Sequence, residues 1–143
     1  MPEAWRLLLA FDFGLKRIGV ATANRLTQTA SPLMTLAADN GPPWADIGSL
    51  IAEWQPDLVV VGEPGPDADD ALRKALDAFV AALAARYSIP IEAVDERYTS
   101  AAAESALRAE RRKGIYNRRL SRGQVDQRAA CLIAEQWMSQ ALD

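Results

Sequence analysis

Residues 57–62, Asp-Leu-Val-Val-Val-Gly, are apolar on both faces of any strand they could form. Only a strand covered above and below by other elements can hold such a run, which points to a sheet layered between helices. The flanking pattern agrees. Residues 6–12 read as a buried strand, 17–24 (Arg-Ile-Gly-Val-Ala-Thr-Ala-Asn) as a second after a tight turn at 13–16, and a third is expected around 30–36. Gly14 is expected to give that turn a positive φ. Pro42-Pro43 breaks the chain before a helix over 44–54, and a Gly/Pro/Asp-rich loop at 62–70 leads into a long helix reaching about residue 87. A strand at 89–95, a short helix from 100 to about 108, an arginine-rich loop at 108–122 and a final helix from about Ser121 complete the order. Three early strands followed by alternating helices and strands predict an α/β fold. Its single mixed sheet is antiparallel at first and parallel later, with helices on both faces.

With 143 residues, half of them hydrophobic, a single domain over 1–143 is expected. The N-terminal apolar stretch is closed by Asp12 after a handful of residues, far short of the roughly 20 that a membrane span needs. No span or signal peptide is read, and no membrane partner is expected. The one cysteine, Cys131, leaves no intrachain disulfide and no zinc cluster. The absence of histidine removes His-based triads and imidazole metal sites. These absences point to the cytoplasm, and they leave the chemistry to carboxylates, Lys, Tyr, Ser/Thr or a bound ion.

Three carboxylates stand where burial should be costly. Asp12 ends the run Leu7-Leu8-Leu9-Ala10-Phe11 and precedes Phe13-Gly14. Glu96 ends the run 89–96. Asp126 lies three, four and seven residues ahead of Ala129, Ala130 and Ile133, so it shares the apolar face of the last helix. An uncompensated buried carboxylate costs several kcal/mol, and three that can converge point to a divalent metal site. In open α/β sheets such sites form at the carboxyl ends of strands, where Asp12 and Glu96 both fall. Each acid has a plainer reading as well. Asp12 could start a turn, Glu96 could be a solvated strand end beside Arg97, and Asp126 could cap a helix that begins later than Ser121.

The net charge of −3 hides an asymmetry. Residues 1–96 hold 7 basic and 14 acidic residues, whereas 97–128 hold 9 basic and 3 acidic. The positive block between the second and third carboxylates reads either as a solvated loop or as a phosphate-binding segment.

Four segments together resemble the YqgF/RuvX family, known as Holliday-junction-resolvase-like proteins and pre-16S rRNA nucleases. They are Leu9-Ala10-Phe11-Asp12-Phe13-Gly14-Leu15-Lys16-Arg17-Ile18-Gly19-Val20-Ala21, then Pro56-Asp57-Leu58-Val59-Val60-Val61-Gly62-Glu63-Pro64, then Val94-Asp95-Glu96-Arg97-Tyr98-Thr99-Ser100, and finally Gly123-Gln124-Val125-Asp126-Gln127-Arg128-Ala129-Ala130. The resemblance implies an RNase H-like fold and a metal-dependent phosphodiesterase site made of Asp12, Glu96 and Asp126. It also implies maturation of the 5′ end of the small-subunit rRNA precursor, the junction-resolvase label having come from fold similarity. Two departures stand out. Leu15 replaces the Thr usual after Gly14, and the loop 63–70 is unusually acidic, which would repel phosphate.

Such a site is expected to hold two Mg2+ or Mn2+ ions, with Asp12 bridging, Glu96 on one ion and Asp126 on the other. Lys16, Arg17 and Arg97 are expected near the scissile phosphate. The block from Arg108 to Arg122, including Arg111, Arg112, Lys113, Arg118 and Arg119, would grip the flanking nucleic acid, with Tyr116 available for stacking. Trp44 and Trp54 read as core or interface residues. The expected assembly is a monomer or a weak homodimer. Alternatives are a nuclease acting on Holliday junctions or other DNA structures, and an inactive RNA-binding scaffold of the same fold. An actin- or sugar-kinase-like ATPase shares the Asp-x-Gly turn but needs two lobes, which 143 residues cannot hold.

Overall fold

Alternation along each strand decides which layer its side chains join. The computed structural model describes residues 5–95 and 121–142. It contains β1 (Leu7–Phe13), β2 (Arg17–Asn24), β3 (Thr29–Ala37), α1 (Trp44–Trp54), β4 (Leu58–Glu63), α2 (Asp70–Arg86), β5 (Ile91–Asp95) and α3 (Arg122–Leu142). The five strands form one sheet in the order β3-β2-β1-β4-β5. The pairs β1–β2 and β2–β3 are antiparallel, while β1–β4 and β4–β5 are parallel. This is the mixed sheet expected from the element order. Parallel pairing brings the carboxyl ends of β1, β4 and β5 to one edge.

Odd positions of β1 and β4, among them Leu9, Phe11, Val59 and Val61, pack with Ile47 and Leu50 of α1 and Phe79 and Leu83 of α2. Even positions Leu8, Ala10, Leu58 and Val60 lie instead against Ala130, Ile133, Ala134 and Trp137 of α3. The run 57–62 was apolar on both faces because β4 is covered on both sides. On β2 the two faces differ in size. Ile18 and Val20 point to α1 and α2, whereas Ala21 and Ala23 lie under α3. The small face lets α3 approach closely.

Gly14 departs from expectation. Among the described residues only Gly41 has a glycine φ in the positive range. Gly14 is needed for space, because a Cβ there would stand 2.6 Å from the Arg17 carbonyl oxygen. The tightness of the turn, rather than its handedness, selects the residue.

The capping box expected at the last helix is present. Gln124 N–H donates to Ser121 Oγ at 3.1 Å, and Ser121 N–H donates to Gln124 Oε1 at 2.9 Å. The helix therefore starts before Asp126, which is not its cap. No helix among the described residues is long and apolar enough to cross a membrane.

Cys131 sits in this packing with no exposed surface. Burial pushes its thiol up to about 11, with Arg128 lowering it and Glu135 raising it to smaller extents. A raised folded-state value means a stability contribution that is complete below the unfolded value near 9 and lost as pH climbs through 11. Between those limits the wild type is expected to lose about 3 kcal/mol more stability than Cys131→Ala, read by denaturant unfolding at stepped pH.

Candidate functional site

Asp12 is the penultimate residue of β1 and continues the even series Leu8, Ala10, so its side chain lies on the α3 face of the sheet. Its cross-strand partner is Gly19, and the partner of Gly19 on β3 is Thr35. Asp12 is thus a strand residue, not the start of a turn. These three positions form one row across the sheet, and the first turns of α3 cross over it.

Two devices hold that crossing. Thr35 Oγ1 donates to the Gly123 carbonyl at 2.9 Å and accepts from Gln127 Nε2 at 3.1 Å. Beside it, the missing side chain of Gly19 makes room for the helix. A Cβ at Gly19 would overlap the backbone carbonyl of Asp126 and stand 3.0 Å from its Cβ. Glycine inside a strand often marks such a close approach of another backbone.

Asp126 therefore sits above the strand row that contains Asp12. Its Oδ2 accepts from Arg17 Nε at 2.7 Å, with the two side chains 20% and 37% exposed respectively. A part-exposed pair of this kind is worth about 1 kcal/mol at most. Ile133 and Trp137, both buried on the same helix, contribute about 2–3 kcal/mol each. The position of Asp126 is set by helix burial and by Gly19, and the ion pair follows.

A cleft of about 410 Å³ opens here, lined by Asp12, Lys16, Arg17, Asp69, Arg122 and Asp126. Acids and bases face each other across it, an arrangement suited to a phosphate held together with a cation. Of the acidic residues in the loop 63–70, only Asp69 lines the cleft. Its carboxylate accepts from the Ala71 N–H at 2.9 Å, as the N-cap of α2. The loop is tied down by Arg73, whose guanidinium donates to the carbonyls of Pro64 and Gly65. Leu15 stands at the mouth, 47% exposed.

The structure thus brings Asp12, Asp126, Lys16 and Arg17 to one cleft. Glu96, Arg97, Arg111, Arg112, Lys113, Arg118, Arg119 and Tyr116 lie outside the described residues, as does the helix expected from 100 to 108. Among the described residues no three His, Cys, Asp or Glu side chains are grouped closely enough to hold an ion by themselves. The donors that do line the cleft are carboxylates, which match a hard divalent cation, and magnesium often takes only one or two of them. Sequence reasoning missed Gly19, Thr35, Gln127 and Asp69. A strand-interior glycine was the one available signal for the first.

Trp44 and Trp54 pack against the α1/α2 core, as expected. Trp44 stacks on Phe79 with centroids 5.5 Å apart, and the Arg86 guanidinium lies 4.3 Å over its ring.

Two solved structures share this architecture. RuvC of T. thermophilus in complex with a Holliday junction substrate aligns with a TM-score of 0.60 at 20% identity, covering 96% of each chain. The Fowlpox virus resolvase, in complex with substrate Holliday junction DNA, aligns with a TM-score of 0.60 at 12% identity, covering 96% of this chain and 99% of that one. The fold is RNase H-like. The chain belongs to the RuvX family, described as Holliday junction resolvase, which it matches over residues 6–140. A Marinobacter nauticus protein named "Putative pre-16S rRNA nuclease" is 43% identical over 141 residues, 96% of either chain. A Legionella pneumophila protein of the same name is 42% identical over 144 residues, 99% of either chain. Family membership places the chain among nucleases.

Proposed function

We propose that this protein is a metal-dependent nuclease that hydrolyses phosphodiester bonds in RNA and trims the 5′ end of the small-subunit rRNA precursor. The observation that carries this reading is the meeting of Asp12 and Asp126 at one cleft, from elements 114 positions apart in the chain, with Lys16, Arg17 and Arg122 around them. The names of the relatives support the choice of RNA. Asp12, Asp126 and, from the segment after β5, Glu96 would hold Mg2+ or Mn2+. The chemistry that such ions supply is activation of a water and neutralisation of charge at the scissile phosphate and leaving oxygen.

The chain's own side chains do the positioning. Lys16 offers a point charge and Arg17 a planar fork to phosphate oxygens. Its Nε bond to the Asp126 carboxylate places that fork beside the cleft acids. Arg122, at the start of α3, adds a third cation at the rim. The basic block after Glu96 would hold the flanking strand, which gives binding a steep salt dependence.

The test is incubation of the purified protein with an end-labelled rRNA-precursor leader and, in parallel, a four-way DNA junction, with manganese or with chelator. Cleavage of the leader that disappears with chelator is expected. Chelator-resistant cleavage overturns the metal site, and cleavage of the junction alone overturns the RNA assignment.

A further inference from the structure

A second cavity, of about 420 Å³, lies on the other side of the β1–β2 turn from the carboxylate cleft, and the two share Phe13, Gly14 and Leu15. Its walls are Phe13, Trp44 and Phe79 with Ala75, Ala78 and Ala82 of α2. Small residues on the helix keep the space open, while the rings are fixed in place. Phe13 and Phe79 are 4.8 Å apart, and Trp44 is stacked on Phe79 beneath Arg86. The cavity is preformed, apolar and mostly lined by aromatic and alanine side chains, with one acidic residue, Asp39, at its rim.

The occupant follows from what adjoins it. The Gly14–Leu15 ridge is the shared wall of the two clefts, so a strand that continues over it from a phosphate beside Asp12, Lys16 and Arg17 brings its adjoining base to the second cavity. Leu15 is one of two exposed large hydrophobics among the described residues, and it lines both cavities. An apolar side chain so placed can part a base from its neighbour, as inserted leucines do in other nucleic-acid complexes. A carboxylate such as Asp39 accepts from the amino groups on base edges. We propose that this cavity takes one unstacked base of the substrate, from a nucleotide next to the phosphate held at Asp12, with Leu15 as the wedge between the two clefts. The proposal rests on the nuclease reading and adds where substrate position is chosen. It also gives the exposed Leu15 a contact of its own.

Ala78 is exposed at the cavity wall on α2, so Ala78→Leu fills the space at little cost to the helix. The experiment measures affinity for the leader RNA in chelator by fluorescence anisotropy, with a single abasic nucleotide stepped through the sequence. The wild type is expected to lose about tenfold in affinity at one position, the scale of one stacked base. Ala78→Leu is expected to bind the intact RNA about tenfold more weakly than the wild type, yet to bind that one abasic RNA equally well. Leu15→Ala provides a second variant, with a similar loss on intact RNA. An Ala78→Leu protein of unchanged melting temperature that handles intact and abasic RNA as the wild type does, while metal-dependent cleavage is observed, overturns the base cavity alone. Failure of the wild type to bind either RNA overturns the nuclease reading and the cavity with it.

Discussion

Gly19→Ala is expected to destabilise the fold by about 2–3 kcal/mol, although it adds a single methyl group, because overpacking a tight contact costs that much. The added Cβ would meet the backbone carbonyl of Asp126 rather than a side-chain tip that could swing aside. Either α3 lifts or β2 sinks. The first breaks the Thr35 bonds to Gly123 and Gln127, and the second disturbs Ile18 and Val20 in the opposite layer. Lifting α3 also moves Asp126 away from Asp12 on β1, so by that route activity is expected to fall further than the loss of folded protein explains. Denaturant unfolding and cleavage per folded molecule, measured on the same samples, check the two halves. Wild-type stability in Gly19→Ala would show that α3 does not lie where the structure puts it.

The same contact shows what a sequence reveals and what it hides. The strands were legible because β1 and β4 bury both faces, so their apolar runs are uninterrupted. The start of α3 was legible because Ser121 and Gln124 form a local motif with its own geometry. Asp12 and Asp126 were legible as anomalies, charges within apolar patterns. Other features depend on partners distant in the chain. The bond from Arg17 to Asp126 spans 109 positions, and nothing around Arg17 announces it. Thr35 reads as an ordinary strand residue until α3 is laid across it. Gly14 invited the wrong explanation, since a turn glycine suggests a positive φ, whereas the limiting factor is the Arg17 carbonyl. The acidic loop is legible only as charge. The fold places one of its carboxylates, Asp69, on the cleft, where that group also accepts a bond from its own helix.

Asp12→Asn is expected to reduce metal-dependent cleavage by more than about a hundredfold, with the melting temperature almost unchanged. Removing partners that merely orient metal ligands already costs 10–100-fold, so with Asp12 in the ligand role proposed for it, removing its charge is expected to cost more. Asparagine keeps the shape of the side chain, and the strand pairing with Gly19 is made by backbone atoms. Asp126→Asn offers the sharper comparison, because it also weakens the bond to Arg17. If that carboxylate served structure, the variant would lose stability and retain turnover per folded molecule. The magnitudes favour the opposite outcome. The pair is part-exposed and worth about 1 kcal/mol at most, while Ile133, Trp137 and the Ser121–Gln124 cap hold the helix independently. Asp126→Asn is therefore expected to fold and melt nearly as the wild type does and to lose cleavage as Asp12→Asn does. Manganese affinity, read by electron paramagnetic resonance, is expected to fall in both. Arg17→Ala separates the roles: it should weaken RNA binding while leaving manganese affinity equal to or above that of the wild type, since the cation paired with Asp126 has been removed. A parallel loss of manganese affinity in Arg17→Ala would make Arg17 a support for the ligand rather than its competitor.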